Sequence, residues 1–217
     1  MQFFTVKNKT ELLDRLISKE DTVLDIGFWG QGVKISDDNW PHKLLKEKAA
    51  EVYGIDIEYD ELMIPEKERS KYKKVAAEDF YFDRKFDVIF AGDLIEHLVN
   101  PGLFLDNAKK HLNDGGRLIL TTPNTFNLFN LAGKLTRAEP VVNSDHTFYF
   151  NQRTIGVLLS KCGWDISELG YMYTLDYKIK ESFKKKFLNF LYWFLAKWTP
   201  KYYETMVVVA RREKSSE

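Results

Sequence analysis

Short apolar runs recur along this chain, and most are followed by a stretch in which apolar positions fall three or four apart. The runs predict strands, and the spaced positions predict helices that pack by one face. Leu12, Leu13, Leu16 and Ile17 form the first such face. Asn8 is placed to cap that helix, with Glu11 three residues on as its capping-box partner. Thr22–Ile26 reads as a buried strand, followed by strands at Glu51–Ile57, Tyr72–Ala77, Phe86–Ala91 and Arg117–Thr122. Helices are predicted from Pro41, from Asn100-Pro101 to a stop at Gly115-Gly116, and from Asn151 to Cys162 with Gly163 as the stop. Asn124 to Leu135 reads as helical, with Asn124 either its cap or a residue lining the site, and Trp164–Tyr173 and Glu204–Arg211 read as the last two strands. His42 and His111 fall on predicted helices as solvent-facing positions. Strands alternating with helices predict an α/β fold with a largely parallel sheet covered on both faces.

The chain has 217 residues, enough for one domain over 1–217 with a large core. Hydrophobic residues make up 44% and charged ones 29%, as in an ordinary soluble globular protein. Lys plus Arg and Asp plus Glu are equal at 32 each, so no basic excess points to a nucleic-acid partner. Cys162 is the single cysteine; it excludes an internal disulfide, fits a reducing compartment and reads as core. The first residues lack signal-peptide features and no apolar stretch is long enough to span a bilayer, so the expected location is the cytoplasm.

The candidate chemistry centres on Val23-Leu24-Asp25-Ile26-Gly27-Phe28-Trp29-Gly30-Gln31-Gly32. An apolar run ends in an acid and a glycine-rich bend follows, where the backbone turns tightly and approaches a ligand closely. One strand later, Val52-Tyr53-Gly54-Ile55-Asp56 again ends in an acid. An acid at that strand tip is how nucleotide-binding sheets hold ribose hydroxyls. Together the two features point to a pocket for an adenosine-containing cofactor.

The stretches VLDIGFWGQG, VYGIDI, AAEDF, FDVIFAGDLIEHL, NPGLFL, LNDGGRLILTTPN and DHTFYFNQRTIGVLLSKCGW spread over residues 22 to 166, about two-thirds of the chain. In this order they resemble the class I S-adenosylmethionine-dependent methyltransferases, nearest the small-molecule branch of type 11/23 found with polysaccharide and lipid biosynthesis. The resemblance implies a Rossmann-like three-layer sandwich with a seven-stranded, mostly parallel sheet whose last strand is antiparallel. It also implies S-adenosyl-L-methionine as cofactor and a small-molecule, sugar or lipid-linked acceptor. By position, Asp25 and Gly27 would shape the wall at the cofactor's amino-acid half, with Phe28 and Gly30 in the loop. Asp56, with Ile57 beside it, would hold the ribose diol, Glu78 and Asp79 would face the adenine amino group, and Asp93 would lie near the sulfonium. One departure stands out: Trp29 occupies a family glycine position, which displaces Gly30 and Gly32 by one.

Methyl transfer to oxygen or nitrogen uses a base to take the acceptor proton. His97, just past the fourth strand, and His146, between the fifth strand and the next helix, are the candidates. Each has a structural alternative: His97 as a packed helix-start residue, His146 as a link tying loop to sheet. Asp93, Glu96 and His97 also have metal-ligand spacing, as in quinone-precursor O-methyltransferases similar to this chain, although the favoured reading assigns no metal.

Residues 183–198 mix lysines with aromatic and apolar residues within an expected helical insertion over 177–200. Such a helix suits its own core, a homodimer contact, an acceptor lid or a membrane surface. Two other functions remain open: a nicotinamide-dependent oxidoreductase or epimerase, and a non-catalytic binding module on the same fold.

Overall fold

A computed structural model describes residues 1–30, 40–133, 143–173 and 199–213. Gln31-Gly32, the polar Ser36–Asn39 stretch, the 183–198 segment with nearly all of the expected insertion, and the Lys214–Glu217 tail lie outside the described residues. The elements are β1 (Gln2–Val6), α1 (Lys9–Leu16), β2 (Thr22–Ile26), α2 (Pro41–Lys48), β3 (Glu51–Ile55), β4 (Tyr72–Lys73), β5 (Phe86–Gly92), α3 (Pro101–Lys110), β6 (Leu112–Pro123), α4 (Leu128–Gly133), α5 (Gln152–Lys161), β7 (Trp164–Met172) and β8 (Thr205–Arg212).

Among the described residues one sheet of eight strands runs β1-β7-β8-β6-β5-β2-β3-β4. Every pairing is parallel except the two made by β8, which runs antiparallel to β6 and β7. The expected α/β sandwich is therefore present, with eight strands rather than seven. The additional strand is β1, which pairs in parallel with β7 at the sheet edge. Its seat depends on Gly170: a Cβ there would lie 2.4 Å from the Phe4 ring. Arg15 covers that ring 4.4 Å from its centroid. Nothing local in five mostly exposed residues announces this pairing.

Both faces of the sheet are buried. Val23, Val88, Phe90, Val207 and Val209 point to α1 and α2, where Leu12, Leu13, Leu44 and Leu45 meet them. Leu24, Ile89, Ala91 and Val208 point the other way, to Phe104 and Leu105 of α3 and Ile155 and Leu159 of α5. Adjacent strand residues thus fill opposite layers, which is why these strands read as continuous apolar runs.

Helix caps follow the side chains that announced them. Asn8 Oδ1 accepts the Glu11 amide at 2.8 Å, although the Glu11 carboxylate takes the Lys7 amide rather than that of Asn8. Asn100 caps α3 through the Leu103 amide, and Asn151 forms a full capping box with Thr154. Gly163, with φ 67°, ends the α5 region.

Three boundaries differ from expectation. Helix α3 stops at Lys110, before Gly115-Gly116, because His111 turns back: its Nδ1 donates to Asn107 O at 2.9 Å and its Nε2 accepts the Phe82 amide at 3.1 Å. The last-turn carbonyl is satisfied there, so the glycines instead shape the start of β6. The third strand pairs only over Tyr72–Lys73, since it sits at the edge with β3 as its single neighbour. Residues 124–127 form a turn ahead of α4, and Asn124 binds the 201–203 backbone through Lys201 O and Tyr203 O instead of capping a helix. No helix among the described residues is long and apolar enough to cross a membrane.

Candidate active site

The carboxyl ends of β5, β2 and β3, neighbours in the sheet, open into a cavity of about 430 Å³. Gly27 turns the chain off β2 with φ 78°, and its amide donates to Ile55 O at 2.9 Å. A Cβ at Gly27 would be strained by this backbone conformation and would lie tightly, at 3.1 Å, against Leu94 Cδ1. Gly30, at φ 60°, makes the second left-handed step.

Asp56 latches this bend to the tip of β3. Its Oδ2 accepts the Trp29 amide at 3.0 Å and the Gly30 amide at 3.4 Å, while Oδ1 accepts the Glu58 amide at 2.8 Å. Phe28 points down into a buried aromatic cluster with Trp40, Tyr59 and Tyr72. Trp29 meets Phe28 edge to face at 5.9 Å. Gly54 makes room for the cluster, since a Cβ there would lie 2.7 Å from Phe28 and 2.8 Å from Tyr72.

Asp25 is 2% exposed, and His42 1%. His42 lies between two partners: Nδ1 is 2.9 Å from Asp25 Oδ2 and Nε2 is 2.9 Å from the Tyr72 hydroxyl. Burial pushes the Asp25 carboxyl up, opposed by the hydrogen bond and charge of His42. Burial likewise pushes the Tyr72 hydroxyl up. The solvent-facing expectation for His42 and His111 is thus corrected: both are buried, each with two hydrogen-bond partners.

Asp25, Gly27, Phe28, Gly30, Asp56, Ile57 and Asp93 all line the cavity. Glu78 and Asp79 are not among its lining residues. With β4 ending at Lys73, they occupy a turn beyond the short edge strand, Glu78 half-buried and Asp79 exposed. Lys9, Glu58 and Asn143 also line the cavity, and no pattern in the sequence marked them.

A second cavity, about 180 Å³, lies between Glu96, Asn124, Asn130, His146, Phe148 and Tyr149. Asn143 lines both cavities. His97 lines the first and His146 the second, and their rings meet edge to face with centroids 4.6 Å apart. The loop is held there by Thr147. Its amide and hydroxyl both donate to Glu96 O, at 2.8 and 2.9 Å, and the hydroxyl also reaches Leu98 O at 2.8 Å. Thr147 therefore ties this loop to the turn that follows β5. His97 sits in a turn after β5, not at a helix start.

Glu96 is 1% exposed, and neither carboxylate oxygen meets a hydrogen-bond donor among the described residues. Thr122 Oγ1 stands beside it outside hydrogen-bond geometry. Burial, then the nearby Asp93 charge, pushes the Glu96 carboxyl up to about 8. Burial and His97 lower the proton affinity of His146. Burial raises that of the Cys162 thiol, as befits a packing residue rather than a nucleophile.

A larger cavity, about 880 Å³, lies against α5 and β7, and its lining residues include neither an acid nor a histidine. The strand-tip cavity is the one that suits a nucleoside bearing an amino acid. It combines carboxylates for hydroxyl and amino groups with two left-handed glycines that bring backbone against a ligand.

Comparison with known proteins agrees with this geometry. Residues 6–169 match the family described as a methyltransferase domain. No curated protein matches the chain significantly. Among solved structures, a SAM-dependent methyltransferase from Archaeoglobus fulgidus superposes with TM-score 0.61 at 16% identity, over 94% of this chain and 92% of that one. An S-adenosylmethionine-dependent methyltransferase from Clostridium acetobutylicum ATCC 824 gives 0.57 at 14%, over 96% and 93%. The 1,6-didemethyltoxoflavin-N1-methyltransferase of Burkholderia thailandensis, solved with 1,6-didemethyltoxoflavin and S-adenosylhomocysteine, gives 0.57 at 13%, over 95% and 77%. At these identities the likeness is one of fold, and the family match covers most of the chain. The chain belongs to the methyltransferase-domain family and is a class I S-adenosylmethionine-dependent methyltransferase.

Proposed function

We propose that this enzyme methylates a small-molecule, sugar or lipid-linked acceptor seated in the cavity beside His146, with His97 and His146 handling the acceptor proton. The observation that carries this reading is the contact of the two imidazoles at the junction of the cavities. The cofactor supplies an electrophilic methyl carbon on positively charged sulfur. The chain's tasks are then alignment, exclusion of water and removal of one proton.

Asp56 would present acceptor oxygens to the ribose hydroxyls. Gly27 and Gly30 leave space for the ligand against the backbone. An imidazole nitrogen of His146 would take the proton of the acceptor hydroxyl or amine as that atom bonds to the methyl carbon and the methyl–sulfur bond breaks, the sulfur leaving as a neutral thioether. Phe148 and Tyr149 flank the acceptor cavity, and Asn124 is shared with the larger, apolar cavity against α5, which supports an acceptor with an apolar portion. Incubation with methyl-labelled cofactor and separate panels of small alcohols and amines, sugars and lipid-linked sugars tests the acceptor class. Label is expected in one of these panels. Label transferred to RNA or protein alone would overturn the acceptor assignment.

A specific observation favours a second reading of the same cluster. One ligand atom each from Glu96, His97 and His146 lies within 4.8 Å of the others. Two imidazoles and a carboxylate are a donor set for a first-row divalent cation, with coordination positions left for an acceptor. On this reading, protein purified without chelator carries about one metal ion per chain, and His146→Ala loses it. A metal-free preparation whose turnover is insensitive to chelator and to added divalent ions removes the second reading and leaves the histidines as proton acceptors.

A further inference from the structure

The ionisable side chains lining the strand-tip cavity are mostly acids. Asp25, Asp56, Glu58 and Asp93 face it, and among the described residues Lys9 is the one ammonium or guanidinium that does so. A ligand ending in an α-amino acid brings a carboxylate as well as an ammonium into this space. Acids hold the ammonium; the carboxylate needs a cation.

Lys9 is the first residue of α1, and its Nζ donates to Asp93 Oδ2 at 2.9 Å. Asp93 is the one described non-glycine residue in the left-handed region, at φ 51°, and it is held there from β6. The Thr121 hydroxyl donates to Asp93 Oδ1 at 3.0 Å, and the Asp93 amide donates to Thr121 O at 2.9 Å. Strain held in this way at a ligand cavity marks a position kept for its placement. Burial works against the Lys9 charge, but attraction to Asp93, Asp25 and Glu96 outweighs it and raises the ammonium's proton affinity. Lys9 is thus a cation fixed at the cavity wall beside a fixed acid.

We propose that Lys9 and Asp93 together form a two-point receptor for the amino-acid end of the cofactor, Lys9 binding its carboxylate and Asp93 its ammonium. The inference rests on the assignment of this cavity to the cofactor. It adds a binding residue from α1, outside the strand tips and the glycine bend. The apposed charges of the Lys9–Asp93 pair are the mirror of a zwitterion, so the ligand exchanges one ion pair for two.

The test is a thermodynamic cycle by calorimetry with two ligands: S-adenosylhomocysteine and its decarboxylated analogue, which keeps nucleoside, thioether and ammonium. In the wild-type protein, loss of the carboxylate is expected to weaken binding about tenfold or more, and in Lys9→Met the two ligands are expected to bind within about twofold of each other. Lys9→Arg should keep the preference. An equal drop for both ligands in Lys9→Met would assign Lys9 a purely structural role and overturn the proposal. So would a wild-type protein indifferent to the carboxylate, an outcome that does not depend on any variant folding. If neither ligand binds the wild-type protein, the cofactor assignment of the cavity itself fails.

Discussion

Asp56→Ala is expected to weaken S-adenosylhomocysteine binding by about one to two orders of magnitude, because one side chain does two jobs. An ionised carboxylate offers about four acceptor positions, and here three are taken by the Trp29, Gly30 and Glu58 amides. Asp56 is 9% exposed and lines the strand-tip cavity, so on the proposed reading its remaining capacity faces ligand rather than bulk water. Alanine removes that acceptor and also frees the bend it latches. Hydrogen bonds to charged groups contribute roughly 1.5–3 kcal/mol each, which accounts for the size of the loss. Asp56→Asn keeps one oxygen for the backbone amides and should lose less. Calorimetric titration of both variants decides the matter, and unchanged affinity in Asp56→Ala would remove Asp56 from the site. The fold should survive, since the bonds lost are at a strand tip and not in the layers between sheet and helices.

The second large effect concerns turnover. His146→Ala is expected to lower kcat by roughly 10²–10⁴-fold, the usual contribution of a positioned base. Cofactor affinity should hardly change, because His146 lines the smaller cavity and not the one at the strand tips. The pH profile carries the sign. A base must be neutral to take a proton, so activity rises as His146 loses its own. Burial and His97 lower the proton affinity of His146 from its ordinary value near 6.5, so the acidic limb should fall below that pH. Glu96, pushed up to about 8, keeps its proton at neutral pH and adds no opposing negative charge. An acidic limb at or above pH 6.5, or a His146→Ala variant with wild-type kcat, would exclude His146 as the base.

Much of this architecture is written in short-range signals. Asn8, Asn100 and Asn151 begin helices because a side-chain oxygen can reach an amide two or three residues on. The runs at Val23, Val88 and Val207 are strands because continuous apolar sequence fits a sheet buried on both faces. The acids at Asp25 and Asp56 face one cavity because each ends a strand, and β2 and β3 are adjacent and parallel. Glu78 and Asp79 lie apart from that cavity's lining, in a turn beyond an edge strand that pairs over two residues only.

Local pattern was sufficient, then, for the class of fold, most element boundaries, the glycine bend and the two acids that flank it. Each of these depends on neighbours a few residues away or on the alternation of layers. Packing alone settled the rest. Periodicity could not tell that His42 points inward to Asp25 and Tyr72, since an imidazole suits water and core alike. It could not join β1 to β7, a pairing that hangs on an absent side chain at Gly170. Nor could it bring Lys9 to Asp93 across 84 positions, or His146 to His97 through the Thr147 bonds to Glu96 O. A pattern along the chain reports which way a residue faces; what stands opposite it is decided only when distant segments fold together.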